Sequence, residues 1–359
     1  MIKTGYILCF LFCFSIYGYA QKEQERSDST NIYRKIAHGT KEIVRSLDRM
    51  DDEYISPNHY NWTVMIQNSN YGEKYKISNG KQTIEFAPNF TCRLGGYIGW
   101  RWIFLGYSFD IGHWFNHKGN TPKKDFQLSL YSSRVGCDLY YRKTSNNSNI
   151  KSVTNVFGEG KTKLNDIDFS GLNVTMKGIN LYYIFNNKHF SYPAAFAQST
   201  NQRRSCGTFK SGFLYSEHDV RFDVKKMPEQ ILNKLDTAKF YDRVKYKDYA
   251  LTFGYAYNWV FAKNWLACIS VDPAIGYKQS EIQANKNENI FKHFFRNLNF
   301  DVVTRAAVVW NNTKYYAGAS LVTNTYDYRK TAFTLTSSFG TLNFYVGVNF
   351  GLKKKYRKK

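Results

Sequence analysis

The residues best able to carry acid–base or metal chemistry are seven histidines: His38, His59, His113, His117, His189, His218 and His293. His113 and His117 stand four apart, a spacing that places two zinc ligands on one helix face. No Glu lies between them and the run reads as a loop, so an H-E-x-x-H site is absent. Asp110 and His113 lie near the top of one strand pattern. With a loop serine they could form a hydrolytic group, although a hydrogen-bonded loop histidine is the more ordinary use. No Gly-rich phosphate loop or G-x-S-x-G elbow occurs. Beyond residue 20 the cysteines are Cys92, Cys137, Cys206 and Cys268, spaced 45, 69 and 62 apart with no C-x-x-C pair. That spacing gives no zinc knuckle or redox motif. Catalytic, cofactor-binding and metal residues are therefore assigned nowhere, no cofactor is expected, and an enzyme is the lesser reading.

The elements that would position any such group are strands. In TLNFYVGVNFGL (341–352), Leu342, Phe344, Val346, Val348, Phe350 and Leu352 alternate strictly with small or polar residues. Successive strand side chains point to opposite faces, so one face is wholly apolar. The run matches the roughly 9–11 residues of a tilted transmembrane strand rather than the five or six of a soluble one. Leu251 to Phe261, Leu298 to Trp310, Ile103 to Ile111 and Phe90 to Ile98 repeat the pattern. Weaker versions occur at 60–69, 124–132, 134–143, 174–186, 204–216, 265–279 and 313–324. By the same alternation Cys92 and Cys137 fall on apolar faces, and Cys206 and Cys268 on polar ones. Aromatics such as Trp62, Phe109, Trp259 and Trp310 end the apolar faces, as interfacial girdles require.

Short turns at Trp100-Arg101-Trp102, Ala262-Lys263-Asn264 and Asn311-Asn312 alternate with long polar stretches at 70–81, 113–123, 144–172, 217–247, 280–294 and 325–340. The count gives about twelve strands. In lipid every backbone amide must pair within the protein, so such a sheet closes on itself. The expected fold is an all-β, antiparallel transmembrane β-barrel with a short N-terminal periplasmic helical segment.

Composition agrees. The 359 residues hold 50 Lys+Arg against 28 Asp+Glu, a net charge of +22, and 18% aromatics. Only residues 1–20 form a sustained apolar run, which excludes a polytopic helical membrane protein. That run, with Lys3 before it and Gly18-Tyr19-Ala20 after it, reads as a cleavable signal peptide. Residues 21–58 form a periplasmic segment, with an amphipathic helix over 30–49. The barrel spans 59–352, and 353–359 is a basic periplasmic tail. The location expected is the bacterial outer membrane.

Assigning each polar face to the lumen puts Arg93, Arg142, Lys210 and Arg305 inside, with Asp110, Asp125, Asp138, Asp272 and Asp301. The near balance argues against an ion-selective wide pore and for a narrow or plugged lumen. The excess charge lies in loops and tails. Its largest outer cluster, Arg221 to Lys247, is interleaved with acids, so solvated loops are the plainer reading and attraction of lipopolysaccharide phosphates the bolder one. Pro228 could start a short helix with Ile231, Leu232 and Leu235 inward. Expected partners are outer-membrane lipid, lipopolysaccharide and the barrel-assembly machinery during insertion. Nucleic acid is not expected, and the sequence leaves the oligomeric state open.

Four segments carry a resemblance: DDEYISPNHYNWTVMIQN (51–68), WRWIFLGYSFDIG (100–112), RVGCDLYYRKT (134–144) and NLYYIFNNKHFSYPAAFAQSTNQRRSCGTF (180–209). Over about 45–352 the chain resembles a domain-of-unknown-function family of predicted outer-membrane β-barrel proteins from Bacteroides-type bacteria. The resemblance implies that fold and location and carries over no catalytic residue. Its most specific part, FSYPAAF with the following Gln, is too apolar for a free periplasmic loop. The segment 187–204 is expected either to fold back and close the periplasmic mouth or to be a packed turn. If it is the plug, deleting 190–202 should raise conductance. The leading function is a structural or plugged passive transport barrel. The alternatives are an outer-leaflet lipid-modifying enzyme and an adhesion or assembly platform using the basic loops.

Overall fold

Alternation on the page becomes ladder pairing in the computed structural model, which describes residues 50–88, 90–100, 103–111, 124–144, 148–237, 240, 242–280, 298–330 and 333–357. The signal peptide, the 30–49 helix, His38, His113, His117 and His293 lie outside the described residues, as does the Arg101-Trp102 turn.

The strands in chain order are β1 (Ile55–Pro57), β2 (Tyr60–Ser78), β3 (Thr83–Pro88), β4 (Thr91–Trp100), β5 (Ile103–Asp110) and β6 (Lys124–Tyr131). Then come β7 (Val135–Lys143), β8 (Ser148–Thr154), β9 (Lys161–Phe169), β10 (Leu172–Ile184), β11 (Thr200–Gln202) and β12 (Cys206–Phe222). The last are β13 (Arg243–Ala262), β14 (Trp265–Ser280), β15 (Leu298–Asn311), β16 (Tyr315–Lys330) and β17 (Phe333–Leu352). Two short helices, α1 (Tyr192–Phe196) and α2 (Glu229–Leu232), sit between them.

Fifteen strands share one sheet. Three of them, β3, β8 and β9, branch from the upper half of β2, which leaves the twelve wall strands that the sequence predicts. The wall runs β6-β7-β10-β12-β13-β14-β15-β16-β17-β2-β4-β5, antiparallel throughout. Among the described residues no ladder joins β5 to β6.

Burial inverts the soluble pattern. Leu251 and Phe253 are 55% and 58% exposed, whereas Asn258 between the same walls is 0% exposed. An apolar exterior around a polar interior is stable only in lipid, so the structure is a membrane-spanning β-barrel. Leu342, Phe344, Val346, Phe350 and Leu352 face outward as expected. The cysteine faces hold too: Cys268 is buried inside, Cys137 alternates with inward Gly136 and Asp138, and all four are free thiols. Close wall contact needs glycine at chosen rungs. Tyr182 lies across Gly136 and Tyr316 across Gly347, where a Cβ would come within 2.2 Å of the ring.

Several stretches expected as loops are paired strand. β2 continues to Ser78, β8 and β9 occupy much of 144–172, β12 and β13 reach into 217–247, and β16 and β17 cover most of 325–340. The reason is physical. Above the hydrocarbon both faces may meet water, so Lys74, Lys76 and Asp327 erase the apolar face while backbone pairing continues. The helix expected after Pro228 is α2, with Ile231 and Leu235 buried and Leu232 partly so.

Candidate functional site

The interior is where this chain differs from a tube. At the end of the wall where the described chain begins and finishes, the segment between β10 and β12 turns up into the lumen. Ser191 caps α1 by accepting from the Ala194 amide at 3.2 Å, and Pro193 fits the first helical turn. Phe190, Tyr192 and Ala195 are completely buried. The Tyr192 ring meets Tyr131 and Tyr182 from the wall and Phe190 beside it, and a core of Leu266, Val309 and Tyr345 surrounds them. The segment is therefore docked inside the wall rather than lying as a free loop.

It is held by hydrogen bonds at both its ends. The Gln202 side-chain oxygen accepts from the Ser191 amide at 2.9 Å and from Asn258 at 3.0 Å, while its nitrogen donates to the His189 carbonyl at 2.6 Å. Gln198 donates to the Tyr345 hydroxyl at 2.9 Å. Beneath, β1 pairs with β11, and Arg203 reaches the Asp52 carbonyl and the Ser56 hydroxyl. Residues 51–58 thus strap the plug from below.

The Tyr192 hydroxyl donates to Ser270 at 2.7 Å and accepts from the Lys210 ammonium at 2.6 Å. From there a charged layer crosses the lumen. Lys210 meets Asp272 at 2.7 Å, and Arg305 bridges Asp272 at 3.0 Å to Asp138 at 2.5 Å. Two bases and two acids cancel, as the sequence tally implies. All are nearly free of solvent, and such a layer persists only when each charge is paired.

A second polar layer lies higher. Lys278 meets Asp301 at 2.7 Å and Asp248 at 3.7 Å, and donates to the Asp327 carbonyl at 2.6 Å. Sequence reasoning missed Asp248 and Lys278. Lys278 lies within the 265–279 pattern and shares the parity of Cys268 and Asp272, so the alternation already pointed it inward although the tally of inward charges left it out. Around this layer, the Tyr140 and Tyr326 hydroxyls meet at 2.9 Å. Their strands β7 and β16 lie on opposite walls, six steps apart along the ladder. Arg142 crosses similarly, its guanidinium 4.2 Å from the Tyr71 ring and 4.1 Å from the Phe339 ring.

The upper end carries a cap. The branch β3-β8-β9 and the segment around α2 enclose Phe86, Phe169 and Phe222, whose ring centroids lie 5.2–5.7 Å apart. Gln82 ties the tips together, donating to the Lys234 carbonyl at 2.8 Å and accepting from the Asp236 amide at 2.8 Å. Glu85 holds the cap's branch: Lys161 lies 3.0 Å away, Lys74 3.2 Å and Ser152 3.0 Å. Burial alone would raise its carboxyl, but those partners outweigh burial and hold it at about 2. A depressed carboxyl stabilises above its unfolded value, near 4.5, and loses that contribution as pH falls through about 2. Between those values the cap should loosen before the wall, seen as faster amide exchange at 83–88 and 161–169. Glu85→Gln should show that faster exchange already at pH 7.

The remaining expected site residues are placed as follows. Arg93 and Asp110 are register partners on β4 and β5, both half-buried. His113 and the side chain of Asp125 lie outside the described residues. The interior does hold a Ser–His pair that sequence reasoning passed over: Ser216 and His218, 2.9 Å apart. Both are sealed, with His218 stacked on Tyr246 and Ser216 fully buried, so no substrate path reaches them. Among the described residues no three His, Cys, Asp or Glu side chains are placed to hold a metal.

A family model described as a domain of unknown function (DUF4421) matches residues 49–350. No curated protein matches. Similar solved structures include the outer membrane protease OmpT from Escherichia coli, 8% identical over 84% of this chain and 100% of that one, with a TM-score of 0.33. The translocator domain of the autotransporter NalP from Neisseria meningitidis is 9% identical over 90% and 98%, with a TM-score of 0.26. The toluene transporter TodX from P. putida is 8% identical over 82% and 91%, with a TM-score of 0.19.

Proposed function

The chain belongs to the DUF4421 family, and from that premise and its filled interior we propose that it is a structural barrel of the outer membrane, plugged against passive flow. One observation carries this reading: side chains from opposite walls meet in the middle, as the Tyr140 and Tyr326 hydroxyls do. Among the described residues, these bridges, with α1 below and the cap above, leave little room for a continuous water path. The apolar exterior with aromatics at its lower edge, and the signal peptide read from residues 1–20, support the location. Purified protein in arabinose-loaded liposomes should give no swelling. Swelling at a steady rate would overturn the proposal.

The lipid-modifying alternative rests on Asp110, His113 and a loop serine, of which His113 lies outside the described residues; the buried Ser216–His218 pair adds nothing to it. The platform alternative gains something from the cap, which is a rigid outward surface. Some of its bases are paired, Lys177 with Glu217 at 2.7 Å and Arg243 with Asp219 at 2.8 Å. The upper surface is therefore nearer to neutral than a count of its lysines implies, which weakens simple attraction of lipopolysaccharide phosphates.

A further inference from the structure

The outer wall carries a concave site of its own. Across β13 to β17 two adjacent rungs line up, Trp259-Ala267-Val308-Ala319 and Tyr257-Ile269-Ala306-Leu321-Leu342. Ala267, Ala306 and Ala319 form a low floor between the bulk of Tyr257 and Trp259 on one side and Leu342 on the other. The result is an open, almost wholly apolar groove of about 470 Å³ on the lipid-facing surface. It begins at the lower aromatic edge, beside Trp259, and climbs toward mid-wall.

A second, independent feature lies directly below. The β13–β14 turn exposes Lys263 and the β15–β16 turn exposes Lys314, so the groove sits above two cations. Lys263 follows Phe261 by two residues, about 7 Å of chain, and is followed by Trp265. Lys314 precedes Tyr315, and its ammonium lies 5.3 Å from that ring. Aromatics mark the hydrocarbon edge, so these ammonium groups stand at the depth of lipid phosphates. Neither has an acidic partner among the described residues. Of the acids near this end, Asp51 meets His189 and Glu53 meets Arg204 under the plug.

We propose that this groove and its two lysines form a binding site for an anionic glycerophospholipid of the inner leaflet, one acyl chain in the groove and the phosphate between Lys263 and Lys314. The assignment rests on the outer-membrane reading, with the chain termini on the periplasmic side. A plain apolar wall would take any lipid. The charge complement at the groove's foot selects the headgroup, and each lysine adds attraction of the size expected for a basic residue at an anionic surface.

The test is native mass spectrometry of the full mature chain, released from nanodiscs of equal phosphatidylglycerol and phosphatidylcholine. The site predicts one retained phosphatidylglycerol, favoured by about thirtyfold. The double variant Lys263→Gln/Lys314→Gln should keep a lipid adduct but lose the preference. Filling the floor with Ala306→Leu/Ala319→Leu should remove the adduct itself while leaving gel migration of the folded barrel unchanged. Equal retention of the two lipids by the wild type would overturn the proposal, as would indifference to the leucine pair. Stronger retention of lipid A than of phosphatidylglycerol would contradict the inner-leaflet source. A dimer whose formation the leucine pair blocks would assign the groove to a second copy instead. Unaltered migration on boiling, by contrast, would mean that the barrel reading itself had failed before the lipid site was tested.

Discussion

Arg305→Ala is expected to destabilise the barrel by about 3–5 kcal/mol, the cost of breaking a buried ion pair from one side. Among the described residues Arg305 alone joins Asp138 on β7 to Asp272 on β14 across the lumen. Its removal leaves Asp138 without a cation in a site where it is 7% exposed, while Asp272 keeps Lys210. The loss should therefore appear as a lower urea midpoint in detergent and a lower temperature for the boiling-dependent gel shift. Arg305→Met combined with Asp138→Leu removes both unlike charges together and should recover most of the loss, because an apolar pair needs no compensation. A fall of under about 1 kcal/mol for Arg305→Ala would mean that water reaches this layer and that the lumen is not filled as described.

Tyr192→Ala should cost about as much, roughly 3–5 kcal/mol, through a different mechanism. The ring is fully buried among Tyr131, Tyr182, Phe190 and Phe196, so truncation leaves a cavity. It also takes one partner from the Lys210 ammonium. Tyr192→Phe keeps the packing and loses only the hydroxyl, for about 1 kcal/mol, since Lys210 still reaches Ser270 and Asp272. Limited trypsin digestion separates the plug from the wall. With alanine at 192, cleavage at Arg203 and Arg204 should quicken by an order of magnitude or more, while the wall strands stay resistant. Equal cleavage in wild type and variant would mean that α1 is not held in the lumen.

How much of this was legible depended on which medium each residue meets. Inside the hydrocarbon the exterior must be apolar, so Leu251 to Phe261 and Leu342 to Leu352 show period two without ambiguity, and twelve wall strands follow. The plug was legible for a related reason: Phe190, Tyr192 and Phe196 could not face water in a free loop. Outside the hydrocarbon that constraint lapses. Ile150 and Phe169 help to build the cap core, yet they lie in the 144–172 stretch among Lys161 and Asp168 and read as loop, while Ile84 and Phe86 fall between the expected elements. Asp248 escaped because it lies one inward rung before the apolar pattern that starts at Leu251, and Lys278, inside the 265–279 pattern, was left out of the inward tally. The contact between Tyr140 and Tyr326, some 186 residues apart, has no local signature at all.

The layers above α1 also revise the expected effect of removing the plug. With Lys278, Asp301, Tyr140 and Tyr326 still bridging the lumen under the cap, loss of α1 opens only a blind pocket. Single-channel recording in planar bilayers, on the wild type and on a chain lacking residues 190–202, tests this most directly. Both should insert, shown by boiling-dependent migration, and neither should give steady ohmic steps. Regular, voltage-independent openings from the wild type would contradict a lumen filled from wall to wall.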